Sequence, residues 1–480
     1  MQLSKANFSD WYHEVLEAAE VIDSRYNLKG TYAWRPFGFK IRTLVFDELR
    51  RLMDESGHEE TLFPLLIPQD QLLKEAQHIK GFEDSVYWVT KGGLTDLDVP
   101  LALRPTSETI MYPFFKLWIR SHTDLPLRVY QIVNVFRYET KHTRPLIRDR
   151  EVSTFKEAHC AHADQKAVDE EMAIIRKAYC EFFDALCVPY LIVERPEWDK
   201  FPGAVHTYAW DVIMPDYKTL QSATSHDLGT GFAKTFEVYY EDANGKQQLC
   251  HLNSHGVASR VIAPLVGLHG DDHGLVLPPA FAPVQAVVVP IIFKGDGKEV
   301  TKTARHAFDS LSCRKAFDDS AKSPGDKYYY WEMKGVPIRV EIGPRDIEKG
   351  QAVLVRRDTR EKKFVKLADL DMEVKHMLKA ISKSLFEKAW AFHKKALIEA
   401  KDKKALGEAD AAELPVLVQM CGDGKCWREL EGSLKNLECR GSVVGGLDVG
   451  HGPTSGAKPK GKCLHCGKAA EHVVLYSKAY

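Results

Sequence analysis

No stretch of this chain is apolar for long enough to cross a bilayer, and Met1 to Trp11 mixes Lys5 and Asp10 with polar neighbours where a secretory leader would have an apolar core. The expectation is a cytoplasmic protein with no membrane partner. Charge of one sign is equally scarce. With 66 Lys and Arg against 67 Asp and Glu, the formal net charge is −1, which excludes a protein that coats nucleic acid by bulk charge and leaves only a local basic face. Over most of the chain cysteine is thin: Cys160, Cys180, Cys187, Cys250 and Cys313 stand singly, and the other five lie near the C-terminal end. That distribution excludes a disulfide framework and points to a metal site in a reducing compartment. Internal repeats are absent. What is present is ordinary for a globular protein, 44% hydrophobic and 28% charged residues, and 480 residues exceed what one core holds, so two or three domains are expected.

Hydrophobic spacing outlines the elements. Ile41, Leu44, Val45, Leu49 and Leu52 recur at helical intervals before Gly57, and the β-like run Thr61 to Pro68 follows. Pro64 and Pro68 each remove a ladder donor, which places that strand at an edge or beside a symmetry-related partner. The runs Val129 to Tyr138 and Val152 to Ala158 flank Lys141, Arg144, Arg148 and Arg150, predicting an antiparallel pair with a basic tip. Pro278 to Pro283 reads as a linker. Beyond it Ala286 to Val289, Val336 to Ile342 and Ala352 to Val355 alternate with helical stretches, a small α/β unit closed by a helix bearing Val374, Met377, Leu378, Ile381 and Leu385. A third, cysteine-bearing unit follows Lys404, with Gly450 to Lys462 as a flexible loop. The domains are therefore expected at 1–282, 283–398 and 399–480.

On a strand, Arg137 and Glu139 of Phe136-Arg137-Tyr138-Glu139 would share one face and project together. Taken alone, the pair reads as a surface ion pair. Its neighbours in order are Arg104-Pro105-Thr106-Ser107-Glu108, Arg144 to Glu151, Gln221 to Gly229, and Gly256-Val257-Ala258-Ser259-Arg260. With them the sequence resembles the class II prolyl-tRNA synthetases of the archaeal and eukaryotic-like type, from about Trp11 to Tyr480.

The resemblance implies an α+β fold: an antiparallel sheet flanked by helices, then an α/β anticodon-binding domain and a small C-terminal zinc-binding α/β domain. It implies a homodimer, with the helix and strand ending at Pro64 in the interface. The implied reaction is activation of L-proline by ATP to prolyl-adenylate and transfer to the terminal ribose of tRNA(Pro). Arg137 would bridge the proline carboxylate and the α-phosphate, and Arg260 would hold the phosphate tail from the other side. Glu139 would accept from the adenine amino group, Gln221 and Thr224 would contact the nucleotide, and Phe155 would stack on the base, a core position being its other reading. Thr106 and Glu108 can accept the two N–H donors of proline's secondary ammonium, and His226 would close the ring pocket. Charge moves across a phosphorus flanked by anions, so positioned arginines act through alignment and electrostatic stabilisation. Mg2+ accompanies ATP, although no carboxylate pair stands out to hold it. Phe201-Pro202-Gly203-Ala204 departs from the family's usual Phe-Ala-Gly-Ala.

Gly335 to Asp346 resembles the anticodon-binding domain shared by several class II synthetases. That implies base reading by Glu341, Arg345 and Lys349, with Arg356 and Arg357 near the RNA backbone; a solvated face is the other reading of each. In the tail, Cys421-x4-Cys426 and Cys463-x2-Cys466 fit a tetrahedral thiolate zinc site, structural because no catalytic residue is near, and the role of Cys439 stays open. Bacterial-type relatives insert an editing domain between the second and third motifs. Here His159 to Gln221 is filled by a helix and strands, so no editing in cis is expected. Alanine and cysteine should be misactivated, each lost methylene discriminating by only about 1–3 kcal/mol. The Thr106, Glu108 and His226 set argues against a threonine enzyme, and Arg137 and Arg260 argue against a synthetase-derived binding protein with a dead site. Val473 to Tyr480 is too apolar for a frayed end, and in the family the last tyrosine's ring and carboxylate reach back toward the catalytic domain.

Overall fold

The computed structural model describes residues 3–76, 85–140, 142–292, 297–447 and 456–480. Two amphipathic helices open it, α1 (Phe8–Ala18) and α2 (Pro36–Glu55). Each buries one stripe, Trp11, Tyr12, Val15 and Leu16 on α1 and Ile41, Val45, Leu49 and Leu52 on α2, as a 3.6-residue period dictates. The α2 backbone passes so near the chain before it that a Cβ on Gly38 would lie 2.0 Å from the Val21 carbonyl oxygen. Only glycine permits that crossing.

These helices cover the back of a large sheet. Its first strands are β1 (Glu59–Glu60), β2 (Leu127–Phe136), β3 (Glu151–His162), β4 (Leu191–Glu194), β5 (His206–Ile213), β6 (Thr219–Gly229) and β7 (His251–Ala258). Helix α3 (Glu108–Trp118) precedes β2, and α4 (Gln165–Ala185), capped by the Asp164 side chain on the Ala167 N–H, joins β3 to β4. The main core lies between α1, α2, α4 and the sheet, with Trp210, Tyr179 and Tyr130 buried in it. A second sheet has the strands β8 (Ala286–Pro290), β9 (Lys315–Phe317), β10 (Ile338–Ile342), β11 (Gln351–Arg356) and β12 (Lys362–Lys366) in the order β9-β8-β10-β11-β12. There β8 is parallel to β9 and β10 and the remaining pairs are antiparallel; α5 (Leu370–Ala396) packs on the sheet through the predicted Val374, Met377, Leu378, Ile381 and Leu385.

The last strands, β13 (Ile398–Ala400), β14 (Val416–Met420), β15 (Glu438–Gly445) and β16 (His472–Ser477), do not form a sheet of their own. They extend the first sheet to eleven strands, β13-β14-β16-β15-β4-β5-β6-β7-β3-β2-β1, through antiparallel pairing of β15 with β4.

Three local expectations change. The run Thr61 to Pro68 is strand only at its end: Leu66–Pro68 pairs with Thr95–Leu103 in a separate three-stranded sheet, and the edge of the large sheet is Glu59–Glu60, just before the run. Strand β2 stops at Phe136, so Arg137 and Glu139 do not share a strand face. Instead the Arg137 N–H donates to the Arg150 carbonyl (2.9 Å) and the Tyr138 N–H to the Ser85 carbonyl (2.7 Å), and these bonds aim the two side chains. The Pro278 to Pro283 segment is a docked 3-10 turn with Phe281 and Ala282 in the main core. Lys141 and the first part of the Gly450 to Lys462 loop lie outside the described residues.

Candidate active site

Strand alternation decides what reaches the cavity. On β3, Phe155, Glu157 and His159 line it, while Lys156 turns back to Tyr179 on α4. The cavity, about 720 Å³, is walled by β3, β6, β7 and the chain on either side of β2. Thr106, Glu108, Arg137, Glu139, Phe155, Gln221, Thr224, His226 and Arg260 all line it. The Phe155 ring lies over Gly256, where a Cβ would be 2.8 Å from the ring edge, so an unencumbered β7 backbone lets the ring lie flat along the cavity wall.

One end is acidic and fully buried. Arg104 pins the approach to it, donating to the carbonyls of Phe63 (3.0 Å), Pro64 (3.2 Å) and Asn134 (3.0 Å). Thr106 Oγ1 donates to Glu108 Oε2 and lies 3.2 Å from Glu157 Oε1, but a hydroxyl has one proton and serves one carboxylate at a time. Ser107 Oγ donates to Glu157 Oε2 and accepts from Gln131 Nε2 at 2.9 Å. Burial, and after it the neighbouring Glu108 carboxylate, pushes the Glu157 acid up to about 7. Against this end stands His226. The Phe201 N–H donates to Thr207 Oγ1 (2.9 Å), and His226 shares hydrogen bonds with both threonines, Nδ1 with Thr207 Oγ1 (3.0 Å) and Nε2 with Thr224 Oγ1 (3.1 Å). Burial, then the nearby His159, lowers His226 to about 3. It is therefore a neutral, fixed ring, packed at 4.8 Å on Phe201.

The other end is cationic. Arg137 Nε donates to the Pro105 carbonyl (3.2 Å), and Arg260 Nη1 to the Gln221 carbonyl (3.4 Å). Burial, and next the Arg137 charge, lowers Arg260 to about 10, so two guanidiniums that repel one another wait for an anion. Asp149 closes this side. It is pushed up to about 7 by burial and holds the Tyr32 hydroxyl (3.0 Å) and the Leu146 N–H (3.1 Å).

Gln221 is set from behind. Arg195 Nη2 donates to its Oε1 (2.8 Å) and to Asp211 Oδ1 (2.7 Å), and Arg440 of β15 also holds Asp211, at 3.2 Å. Motif reading missed this brace and missed Glu157, His159 and Asp149. The period of two from Phe155 would have found Glu157 and His159. Nothing in the sequence links Arg195, Asp211 and Arg440; the β4 to β5 pairing brings the first two together and the β15 to β4 pairing adds Arg440.

In the tail the sulfurs of Cys421, Cys426, Cys463 and Cys466 converge within 4.8 Å of one another, and Cys439 stands apart from them. In the second sheet the base-reading candidates separate. Arg345 and Lys349 are exposed, whereas Glu341 is buried and accepts from Arg339 Nε at 2.8 Å. Arg356 pairs with Asp358 (2.8 Å), and Arg357 is spent on Asp271 (2.6 Å), clamping the two sheets' units together.

Residues 87–268 match the tRNA synthetase class II core domain (G, H, P, S and T), and residues 285–377 match an anticodon binding domain. The proline–tRNA ligase of Methanosarcina mazei is 48% identical over 479 residues, 99% of this chain and 98% of that one. That of Archaeoglobus fulgidus is 48% identical over 488 residues, 99% of each. Among solved structures, Giardia lamblia prolyl-tRNA synthetase in complex with prolyl-adenylate superposes with a TM-score of 0.94 at 34% identity, covering 100% of this chain and 99% of that one. The Cryptosporidium parvum prolyl-tRNA synthetase complexed with halofuginone and AMPPNP gives 0.92 at 34% identity over 99% of each. With core and anticodon domains matched in order and nearly half of all residues shared along its length, the chain belongs to the proline–tRNA ligases, a family of class II aminoacyl-tRNA synthetases.

Proposed function

We propose that the cavity performs proline activation with its acidic end on the amino acid and its cationic end on ATP. Proline's ammonium enters between Thr106, Glu108 and Glu157, and its two N–H donors meet the acceptors that one threonine hydroxyl leaves unsatisfied. His226 and Phe201 close on the apolar ring. The carboxylate then faces Arg137. One carboxylate oxygen attacks the α-phosphorus of Mg–ATP, the bond to the bridging oxygen breaks, and pyrophosphate leaves. Arg137 spans both anions as they join, Arg260 steadies the phosphates opposite, and each such positioned donor contributes about 3–4 kcal/mol to the barrier reduction. Glu139 and Phe155 hold adenine, and Gln221, braced by Arg195, and Thr224 orient the nucleotide. The terminal ribose hydroxyl of tRNA(Pro) attacks the carbonyl of the adenylate and releases AMP. Mg2+ enters with ATP as part of the substrate.

The observation that carries this reading is that the acid pair and the arginine pair share one cavity. Pyrophosphate exchange across the amino acids tests it: proline should dominate with weak alanine and cysteine signals, and a threonine-dominated exchange would overturn it. We assign units 1–282, 283–398 and 399–480 to catalysis, anticodon binding and a zinc-held brace for Gln221. Zinc suits the four-cysteine cluster. A tetrahedron with Zn–S bonds of ~2.3 Å has edges of about 3.8 Å, and the Cys421 and Cys466 sulfurs are 3.7 Å apart. Arg345 and Lys349 are the accessible anticodon contacts, with Glu341 acting through Arg339. Leu62, which is 81% exposed, with Leu65 and Leu66 leaves an apolar patch beyond the β1 edge, which favours a homodimer; sedimentation equilibrium checks it. No described helix is long and apolar enough to cross a membrane, in keeping with a cytoplasmic enzyme, as fractionation of cells would test.

A further inference from the structure

Behind the sheet, on the face opposite the cavity, a second set of ligand-type side chains meets. His58 follows α2, Cys160 is on β3, Glu171 on α4 and His255 on β7, all buried, with their ligand atoms within 4.8 Å of one another. His58 Nε2 lies 3.2 Å from Glu171 Oε1, 3.4 Å from His255 Nε2 and 3.6 Å from Cys160 Sγ. A tetrahedral ion bonded to N or O at ~2.0–2.1 Å and to S at ~2.3 Å has edges of about 3.3 Å between N and O or N atoms and about 3.6 Å between N and S. The three distances have these lengths and rise in the same order.

The hydrogen bonds leave one acceptor at the centre without a donor. Ser56 Oγ gives its one proton to the Met53 carbonyl (2.9 Å), so at 3.0 Å from His58 Nδ1 it accepts, and the His58 proton sits on Nδ1. The Nε2 lone pair then points at the Glu171 oxygen and the other imidazole. Glu171 Oε1 is fully buried and accepts no hydrogen bond, although Arg128 engages its other oxygen. The outer partners are in place as well. Tyr179 Oη lies 3.0 Å from His255 Nδ1 and can accept that nitrogen's proton, which leaves Nε2 facing the centre, and Lys156 Nζ lies 2.7 Å from the same nitrogen.

We infer that His58, Cys160, Glu171 and His255 bind a zinc-class divalent cation as a second, structural metal site on the back of the catalytic sheet. Two imidazoles, a thiolate and a carboxylate form a mixed N, S and O set suited to zinc, and the thiolate and carboxylate balance its charge. The ion ties α2, α4, β3 and β7 together directly behind Glu157, His159 and Gly256.

Metal content decides the matter, independently of the four-cysteine reading. The full chain, produced with zinc and exhaustively dialysed, is expected to hold two zinc per chain by plasma mass spectrometry. Cys463→Ser with Cys466→Ser should leave one, and adding Cys160→Ala should leave none. In the double serine variant Co2+ should show a tetrahedral visible spectrum with one thiolate-to-metal charge-transfer band, lost with Cys160. A double serine variant that is folded and metal-free overturns the inference. A wild-type chain whose single zinc survives the serine changes and goes with Cys160 sinks the tail assignment instead. Should the Cys160 variant not fold, the count in the double serine variant still decides.

Discussion

Replacing Glu157 by glutamine keeps its shape and removes its charge, and the structure predicts opposite effects on stability and on proline binding. In the fold this acid is raised from the ordinary 4.5 to about 7. A raised acid holds its proton more tightly folded than unfolded. The native state therefore has its full margin below the unfolded value and loses it as pH climbs through the folded one. At about 1.36 kcal/mol per unit the loss reaches about 3 kcal/mol once the carboxyl is ionised. Glu157→Gln does not ionise, so urea titrations should find the two chains alike near pH 5 and the variant more stable, by up to about 3 kcal/mol, near pH 8. Activity should move the other way. Losing one charged acceptor facing the ammonium removes about 1.5–3 kcal/mol, raising KM for proline roughly ten- to a hundredfold in pyrophosphate exchange, with KM for ATP little changed. Parallel stability profiles from pH 5 to pH 8, or an unaltered proline KM, would refute the reasoning.

Deleting Tyr480 is expected to slow prolyl-adenylate formation while zinc content and dimerisation stay as they are. The Tyr480 hydroxyl donates to Asp216 (2.8 Å), Arg144 lies 5.3 Å over the ring, and Arg148 donates to the Tyr480 main-chain oxygen (3.2 Å), so it steadies the loop leading to Asp149. Those contacts are together worth about 2 kcal/mol, a ten- to thirtyfold drop in pyrophosphate exchange; activity equal to the full chain would mean the tail only packs. Cys466→Ser should release one metal per chain and lower the melting temperature, whereas Cys439→Ser should keep it, and equal loss in metal analysis would make Cys439 a ligand. Purified chain should leave alanyl-tRNA(Pro) intact over hours, since the segment between β3 and β7 is consumed by α4, β4, β5 and β6; rapid deacylation followed by radiolabel would count against it.

Local chemistry was legible where a residue type has one main use. The sheet of β2 and β3, the α5 stripe and the cysteine pairs follow from spacing, and the nine cavity positions followed from motif order. Legibility ended where long-range pairing takes over. Pro64 signals a broken ladder, yet only the fold shows Leu66–Pro68 joining a separate sheet while Glu59–Glu60 edges the large one. Spacing makes Arg137 and Glu139 strand neighbours, but the bonds of Arg137 to Arg150 and of Tyr138 to Ser85 replace the strand there. Glu157 carries no motif of its own, and its significance comes from burial beside Glu108. His58, Cys160, Glu171 and His255 are scattered over four elements with no common spacing, and the tail's entry into the main sheet depends on a β4 edge that nothing local marks as open.

That shared edge has a consequence for how the chain is made. Ile192 and Val193 on β4 pair with Gly445 and Val443 on β15, so a ribosome releases the apolar Leu191–Glu194 strand long before its neighbour exists. Throughout that interval the nascent sheet carries an unpaired backbone rim, the kind of template that recruits other chains. A product halted by premature termination near residue 400 would keep nearly all the catalytic side chains and still expose this rim. Such fragments should be recovered in aggregates or bound to chaperones, and late nonsense mutations would then burden the cell's folding machinery as well as abolish the enzyme.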